Sequence, residues 1–107
     1  MEENLKITML YDIYGKLLTK KQQDIFEEYY LFNLSLREIA DNKKISYQAV
    51  RDSIKVSEKM LNDFDNKLGI YSLKTNITEI IKIINTSEDL NLERDNVIKL
   101  LKNEDDI

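Results

Sequence analysis

A chain of 107 residues with no proline and only two glycines has few ways to turn sharply. Sandwiches and barrels need a turn every few residues, built on glycine, proline, asparagine or aspartate. This composition suits helices joined by short polar breaks. The expected fold class is all-α, with five or six helices, and the length is that of one ordinary domain.

Two further absences narrow the chemistry. There is no cysteine, hence no disulfide, thiolate metal site or thiol nucleophile. There is no histidine, which removes the commonest general base and the commonest metal ligand. Glu27 and Glu28 are adjacent on a helix and diverge by about 100°. No glycine-rich phosphate loop or G-x-S-x-G is present. A calcium loop opening at Asp63 would need glycine at position 68 and glutamate at 74, where the chain has Leu68 and Lys74. The expectation is a non-enzyme with no catalytic residue, metal or cofactor. No apolar run of membrane-spanning length occurs, and Met1-Glu2-Glu3-Asn4 lacks the apolar segment of a signal peptide. The expected location is the cytoplasm, with no membrane partner.

Apolar periodicity places the helices. Leu10, Ile13, Tyr14 and Leu17 give one face of a first helix over residues 5–18, with Gly15 inside it at a cost of about 1 kcal/mol. Thr19 and Gln22 form a capping box before a second helix, Lys20 to Leu31. Its inward stripe is Ile25, Phe26 and Tyr29, which turns Glu27 and Glu28 outward. Ser35 and Glu38 form a second box before a short helix, 36–42, carrying Leu36, Ile39 and Ala40 inward. Asn42-Lys43-Lys44 reads as a turn, and Ser46 caps a long helix reaching about Lys67. Val50, Ile54, Leu61 and Phe64 line its apolar side, with Val56 and Met60 beside them.

Gly69 offers a C-cap or hinge. It separates a first domain, 1–70, from a helical extension, 71–107. In the extension Ile77, Ile80, Ile81 and Ile84 repeat the helical spacing, with Ile83 widening the face. Ser87 is a cap, with Glu88 and Asp89 in the first turn. Val97, Ile98 and Leu101 form the last apolar face before a frayed acidic end, Asn103 to Asp106.

Net charge is −4, from 16 basic and 20 acidic residues, unlike a typical nucleic-acid binder. Between Lys16 and Lys59, however, 9 basic residues meet 7 acidic ones. Within that stretch, Ser35 to Lys55 has the helix-turn-helix plan: a short capped helix, a tight polar turn and a second capped helix. Ala40 is small where the helices approach, Ile45 anchors the turn, and Val50 and Ile54 pin the second helix. Tyr47, Gln48, Arg51 and Lys55 are left outward, where this motif meets base edges and phosphates.

One string carries a family resemblance: Leu18-Thr19-x-Lys21-Gln22, Tyr29-Tyr30, Leu34-Ser35-Leu36-x-Glu38-Ile39-Ala40, Ile45-Ser46-x-Gln48-Ala49-Val50, Ile54-Lys55 and Glu58. With Tyr11-Asp12, it resembles the small bacterial YlxM-type helix-turn-helix family over residues 5–70, and more widely the fourth region of sigma factors. The resemblance implies a sigma-region-four-like helix-turn-helix bundle. It also implies a link to the signal recognition particle pathway, because genes of this family commonly sit beside those of the particle's GTPase and receptor. Three positions depart from the pattern. Lys43 stands where an apolar or aromatic residue is usual, Lys44 where glycine is frequent, and Tyr47 where arginine usually opens the second helix.

Two functional readings follow. The first is a regulator that binds DNA or the signal recognition particle RNA through Arg37, Lys43, Lys44, Tyr47, Gln48, Arg51 and Lys55. Gln48 and Arg51 would read bases, Tyr47 would stack on an unpaired base, and the others would neutralise phosphates. The second is an accessory factor that binds the particle's GTPase or receptor, a reading favoured by the net negative charge. In either case the isoleucine face at Ile77, Ile80, Ile81 and Ile84 covers its own core, docks a partner or forms a homodimer seam. The homodimer is the expectation.

Overall fold

A computed structural model describes residues 2–86 and 90–102, apart from the side chains of residues 2, 3 and 90–93. The described residues form helices and no strand: α1 Glu2–Tyr14, a 3-10 turn Gly15–Leu17, α2 Lys20–Tyr30, α3 Leu36–Lys43, α4 Tyr47–Leu68, α5 Ile70–Thr86 and α6 Leu90–Lys102. The all-α fold class is as expected. The chain divides into two compact units, Met1–Leu68 and Gly69–Ile107.

In the first unit α4 packs against α1, α2 and α3. Its buried stripe is Val50, Ile54, Ser57 and Leu61, in steps of four, three and four. Ile25 and Phe26 of α2, Ile39 and Ala40 of α3, and Ile7, Leu10 and Tyr14 of α1 complete the core. Phe26 lies at its centre. Its ring stacks on Tyr11 at 4.3 Å between centroids and tilts against Tyr30 at 4.6 Å.

The first helix departs from expectation. It starts at Glu2, and its α-helical winding stops at Tyr14. Gly15 therefore opens a 3-10 turn rather than interrupting a helix. Such a turn advances about 120° per residue instead of 100°. The phase error over Gly15–Leu17 puts Leu17 in solvent, 56% exposed, and buries Leu18 at 4%. Glycine is required at position 15 for space: an added Cβ would sit 2.9 Å from Tyr11 Cε1. Gly15→Ala is expected to push Tyr11 off Phe26 and cost about 1–3 kcal/mol. An unchanged urea midpoint would refute this.

Glu27 and Glu28 do not face solvent. Glu27 accepts a hydrogen bond from the Tyr11 hydroxyl. Glu28 pairs with Lys43 Nζ at 2.8 Å. Burial, then the Glu27 carboxylate, holds the Tyr11 phenol well above its ordinary pKa. Burial and the hydrogen bond to Glu58 do the same for Tyr30. Asp63 and Asp65, considered above as calcium ligands, instead engage Lys59 at 3.0 Å and the Tyr14 hydroxyl at 2.8 Å.

Left-handed residues mark the helix ends. Asn33 follows α2 at φ 59°, and Lys44 follows α3 at φ 58°. Gly69 follows α4 at φ 66°, with open space where a Cβ would be, so its role there is conformational.

The second unit is a helix pair. α5 starts at Ile70, ahead of the apolar repeat that begins at Ile77, and packs on α6. The Asn76 side chain donates to the Leu100 carbonyl at 3.0 Å. Ile80 and Ile83 are half-buried, and no residue of α5 is fully buried. Of the last apolar face, Val97 is half-buried while Ile98 and Leu101 are exposed. The expected cap at Ser87 with Glu88 and Asp89, and the acidic end Asn103 to Asp106, lie outside the described residues. Among the described residues no helix is long and apolar enough to cross a membrane.

Candidate nucleic-acid interface

The site is built by local hydrogen bonds at two helix starts and one helix end. At the start of α3 the Ser35 side chain accepts from the Glu38 amide at 3.1 Å. The Glu38 carboxylate accepts from the Ser35 amide at 3.0 Å, closing the capping box. At the other end of α3, Lys44 takes φ 58° and ψ 42° and its amide donates to the Ala40 carbonyl. The Ile45 amide donates to that same carbonyl at 3.1 Å. The Ala40 carbonyl thus takes both the 6→1 bond of a Schellman end and the 5→1 bond of a left-handed end. This closure drops Ile45 onto the cluster of Ile25, Ile39, Ala40, Val50 and Ile54. The Ser46 hydroxyl then accepts from the Ala49 amide at 3.0 Å and starts α4. Only Lys44, Ile45 and Ser46 separate the two helices.

The Glu38 carboxyl is held below its usual range by the two hydrogen bonds to Ser35. A lowered carboxylate contributes stability above its unfolded value, about pH 4.3, and loses it as pH falls through the folded value. Glu38→Gln keeps the reciprocal bond without the charge. The variant is expected to lose this component of acid sensitivity, read as a flatter Tm between pH 5 and 3. A profile parallel to the parent's would refute it.

With Val50 fully buried and Ile54 nearly so, the opposite side of α4 faces water. Gln48, Arg51 and Lys55 are exposed, and Tyr47 is 43% exposed. Arg37 of α3 is exposed and lies 5.6 Å from the Tyr47 ring centre, which ties the two helices across the turn. Lys44 is exposed at the turn itself. Among the described residues Lys44, Arg51 and Lys55 have no acidic partner within ion-pair reach.

Two features were not visible in the motif. Lys43 is the last residue of α3 rather than part of the turn, and its charge is directed to Glu28 of α2. The Gln48 amide donates to Asp52 at 2.9 Å, which orients it and adds a negative charge beside the patch. Residues four apart on a helix are neighbours, so that pair could be read from spacing. The Lys43–Glu28 pair could not, because it depends on how α2 meets α3. Lys20 pairs with Asp24 at 3.0 Å. The described residues contain no group of acidic side chains suited to a metal ion.

Comparison with known proteins agrees with this geometry. A family model described as "Putative helix-turn-helix protein, YlxM / p13 like" (UPF0122) matches residues 1–103. The match extends the resemblance through the C-terminal helices, where no motif had been found. A UPF0122 protein of Clostridium kluyveri is 44% identical over 79 residues, 74% of this chain and 71% of the relative. One of Fusobacterium nucleatum is 36% identical over 103 residues, 96% of each chain. One of a Thermoanaerobacter species is 40% identical over 101 residues, 94% of this chain and 86% of the relative.

Proposed function

The chain belongs to the YlxM/p13-like helix-turn-helix family UPF0122, and from that premise we propose that it is a regulatory protein that binds nucleic acid through the start of α4. The observation carrying this reading is the split of α4. Val50 and Ile54 are buried, while Gln48, Arg51 and Lys55 project from the opposite side next to Lys44 and Arg37. A capped helix start beyond a three-residue turn fits a major groove or a phosphate ridge. Arg51 and Gln48 reach bases, Lys44, Lys55 and Arg37 meet phosphates, and Tyr47 offers a ring for stacking. Lys43, paired with Glu28, belongs to the support of the site more than to its contact surface. The protein acts in the cytoplasm, in the signal recognition particle pathway, and as a homodimer through the α5 isoleucines.

The experiment is fluorescence anisotropy with the signal recognition particle RNA and with a duplex from its operon promoter, at low salt and near 0.15 M. RNA binding that survives the salt places the protein with the particle; duplex binding that survives makes it a transcription regulator. Loss of both near physiological salt refutes the proposal. The net charge of −4 and the Asp52 carboxylate beside the patch then favour the second reading, an accessory factor for the particle's GTPase or receptor.

A further inference from the structure

The outward face of α4 carries a charge that phosphate binding alone does not call for. Gln48, Arg51, Asp52 and Lys55 fall at i, i+3, i+4 and i+7, so they share one side of the helix, and all four are exposed. Asp52 stands in the middle of that stripe. Among the described residues no cation lies within ion-pair reach of it. An acidic group there opposes the phosphates that Lys44 and Lys55 attract, whatever the sequence. Repulsion built into a contact surface serves selectivity, by making wrong partners cost more than right ones.

Asp52 has one partner on this face, and that partner is Gln48. The Gln48 amide donates from Nε2 to the Asp52 Oδ1 at 2.9 Å. A carboxylate only accepts, so Gln48 turns its NH2 group and not its carbonyl toward Asp52. One N–H is spent there. A carbonyl oxygen and a second N–H remain, one acceptor beside one donor. Adenine presents the matching pair in the major groove, the N6 donor beside the N7 acceptor. Guanine presents two acceptors, N7 and O6, and the second would meet the Gln48 carbonyl. Thymine offers an acceptor and a methyl group, and cytosine a donor alone. An amide turned the other way would offer guanine two N–H groups, and Asp52 denies Gln48 that orientation. Arg51, next on the stripe, has donors only and suits guanine itself.

We propose that Gln48 reads adenine in the major groove of duplex DNA and that Asp52 is the positioning residue that fixes its amide for that base. This rests on the nucleic-acid reading above and names the polymer and the base. The major groove of duplex DNA admits a helix and shows it the N6 and N7 edge, whereas that of an RNA helix is too deep and narrow for side chains to read.

The test retains the full chain on DNA duplexes with a randomised core and, in parallel, on a single-stranded RNA pool. Sequencing gives the preferred bases, and anisotropy on the best duplex, with its adenine kept or changed to guanine, gives the preference. The parent is expected to favour adenine about tenfold or more at one position. Gln48→Ala is expected to erase that preference. Asp52→Asn is expected to bind both duplexes more tightly, because a negative charge is gone, and to lower the preference to about threefold or less. A side-chain amide at position 52 both donates and accepts, so it satisfies Gln48 in either orientation. Asp52→Glu keeps the carboxylate and is expected to keep most of the preference. Both positions are exposed, so these substitutions leave the core intact. An Asp52→Asn chain that binds more tightly with the parent's base preference shows that Asp52 acts through charge alone and overturns the proposal. So does a parent that retains duplexes without a preferred adenine, or one that retains only RNA; in both cases nucleic-acid binding itself stands. Retention of neither pool overturns that reading and this one together.

Discussion

A chain carrying Lys44→Gly, Arg51→Ala and Lys55→Ala together is expected to bind its nucleic acid about 100-fold more weakly near 0.15 M salt, roughly 1 kcal/mol per removed cation. The slope of log affinity against log salt is expected to fall by about 1.5 to 2, because Lys44 and Lys55 each neutralise a phosphate and release close to one counterion, whereas Arg51 reads bases. The fold is expected to survive. All three side chains are exposed and lack an acidic partner among the described residues. Glycine is chosen at position 44 because φ is 58° there, a conformation that costs glycine nothing. Lys43→Ala is the informative contrast. Its charge is directed to Glu28, so removing it is expected to lower stability more than affinity. If the triple variant binds with the parent's affinity and slope, the face of α4 is not the site.

Phe26→Ala is expected to unfold the first unit at physiological temperature. Phe26 is fully buried, stacked on Tyr11 and tilted against Tyr30. Its removal costs about 3–5 kcal/mol in transfer and cavity terms. A unit of this size has a total stability near the lower end of about 5–15 kcal/mol. The loss would spread through the aromatic line, because the Tyr11 ring would lose its stacking partner and Tyr11 holds the Glu27 hydrogen bond. Loss of the cooperative thermal transition would confirm it. A fall in Tm of only a few degrees would show that Tyr11 and Tyr30 close the gap.

The helix starts were legible in the sequence because capping is local. Thr19, Ser35 and Ser46 each bond to an amide three residues on, and nothing beyond that turn is needed. The outward set on α4 was legible as the complement of Val50 and Ile54. Failures arose where the helical winding changes or distant partners decide. Leu17 and Leu18 exchange roles because the α-helical phase gives way to a 3-10 turn at Gly15, one turn early. Glu27 and Glu28 looked outward from helix spacing, yet Tyr11 and Lys43 reach them from other elements. Ile80 and Ile81 were grouped by spacing, and only the position of α6 separates the half-buried one from the exposed one.

The left-handed helix ends at Asn33, Lys44 and Gly69 have a kinetic consequence. The chain turns without proline, so its unfolded ensemble holds essentially one peptide-bond isomer and refolds without a slow population. Helical domains dominated by near-neighbour contacts fold in microseconds to milliseconds. A ribosome adds only about 5–20 residues per second. The helix-turn-helix would therefore be assembled between one added residue and the next, soon after Leu68 emerges, before the second unit has left the ribosome.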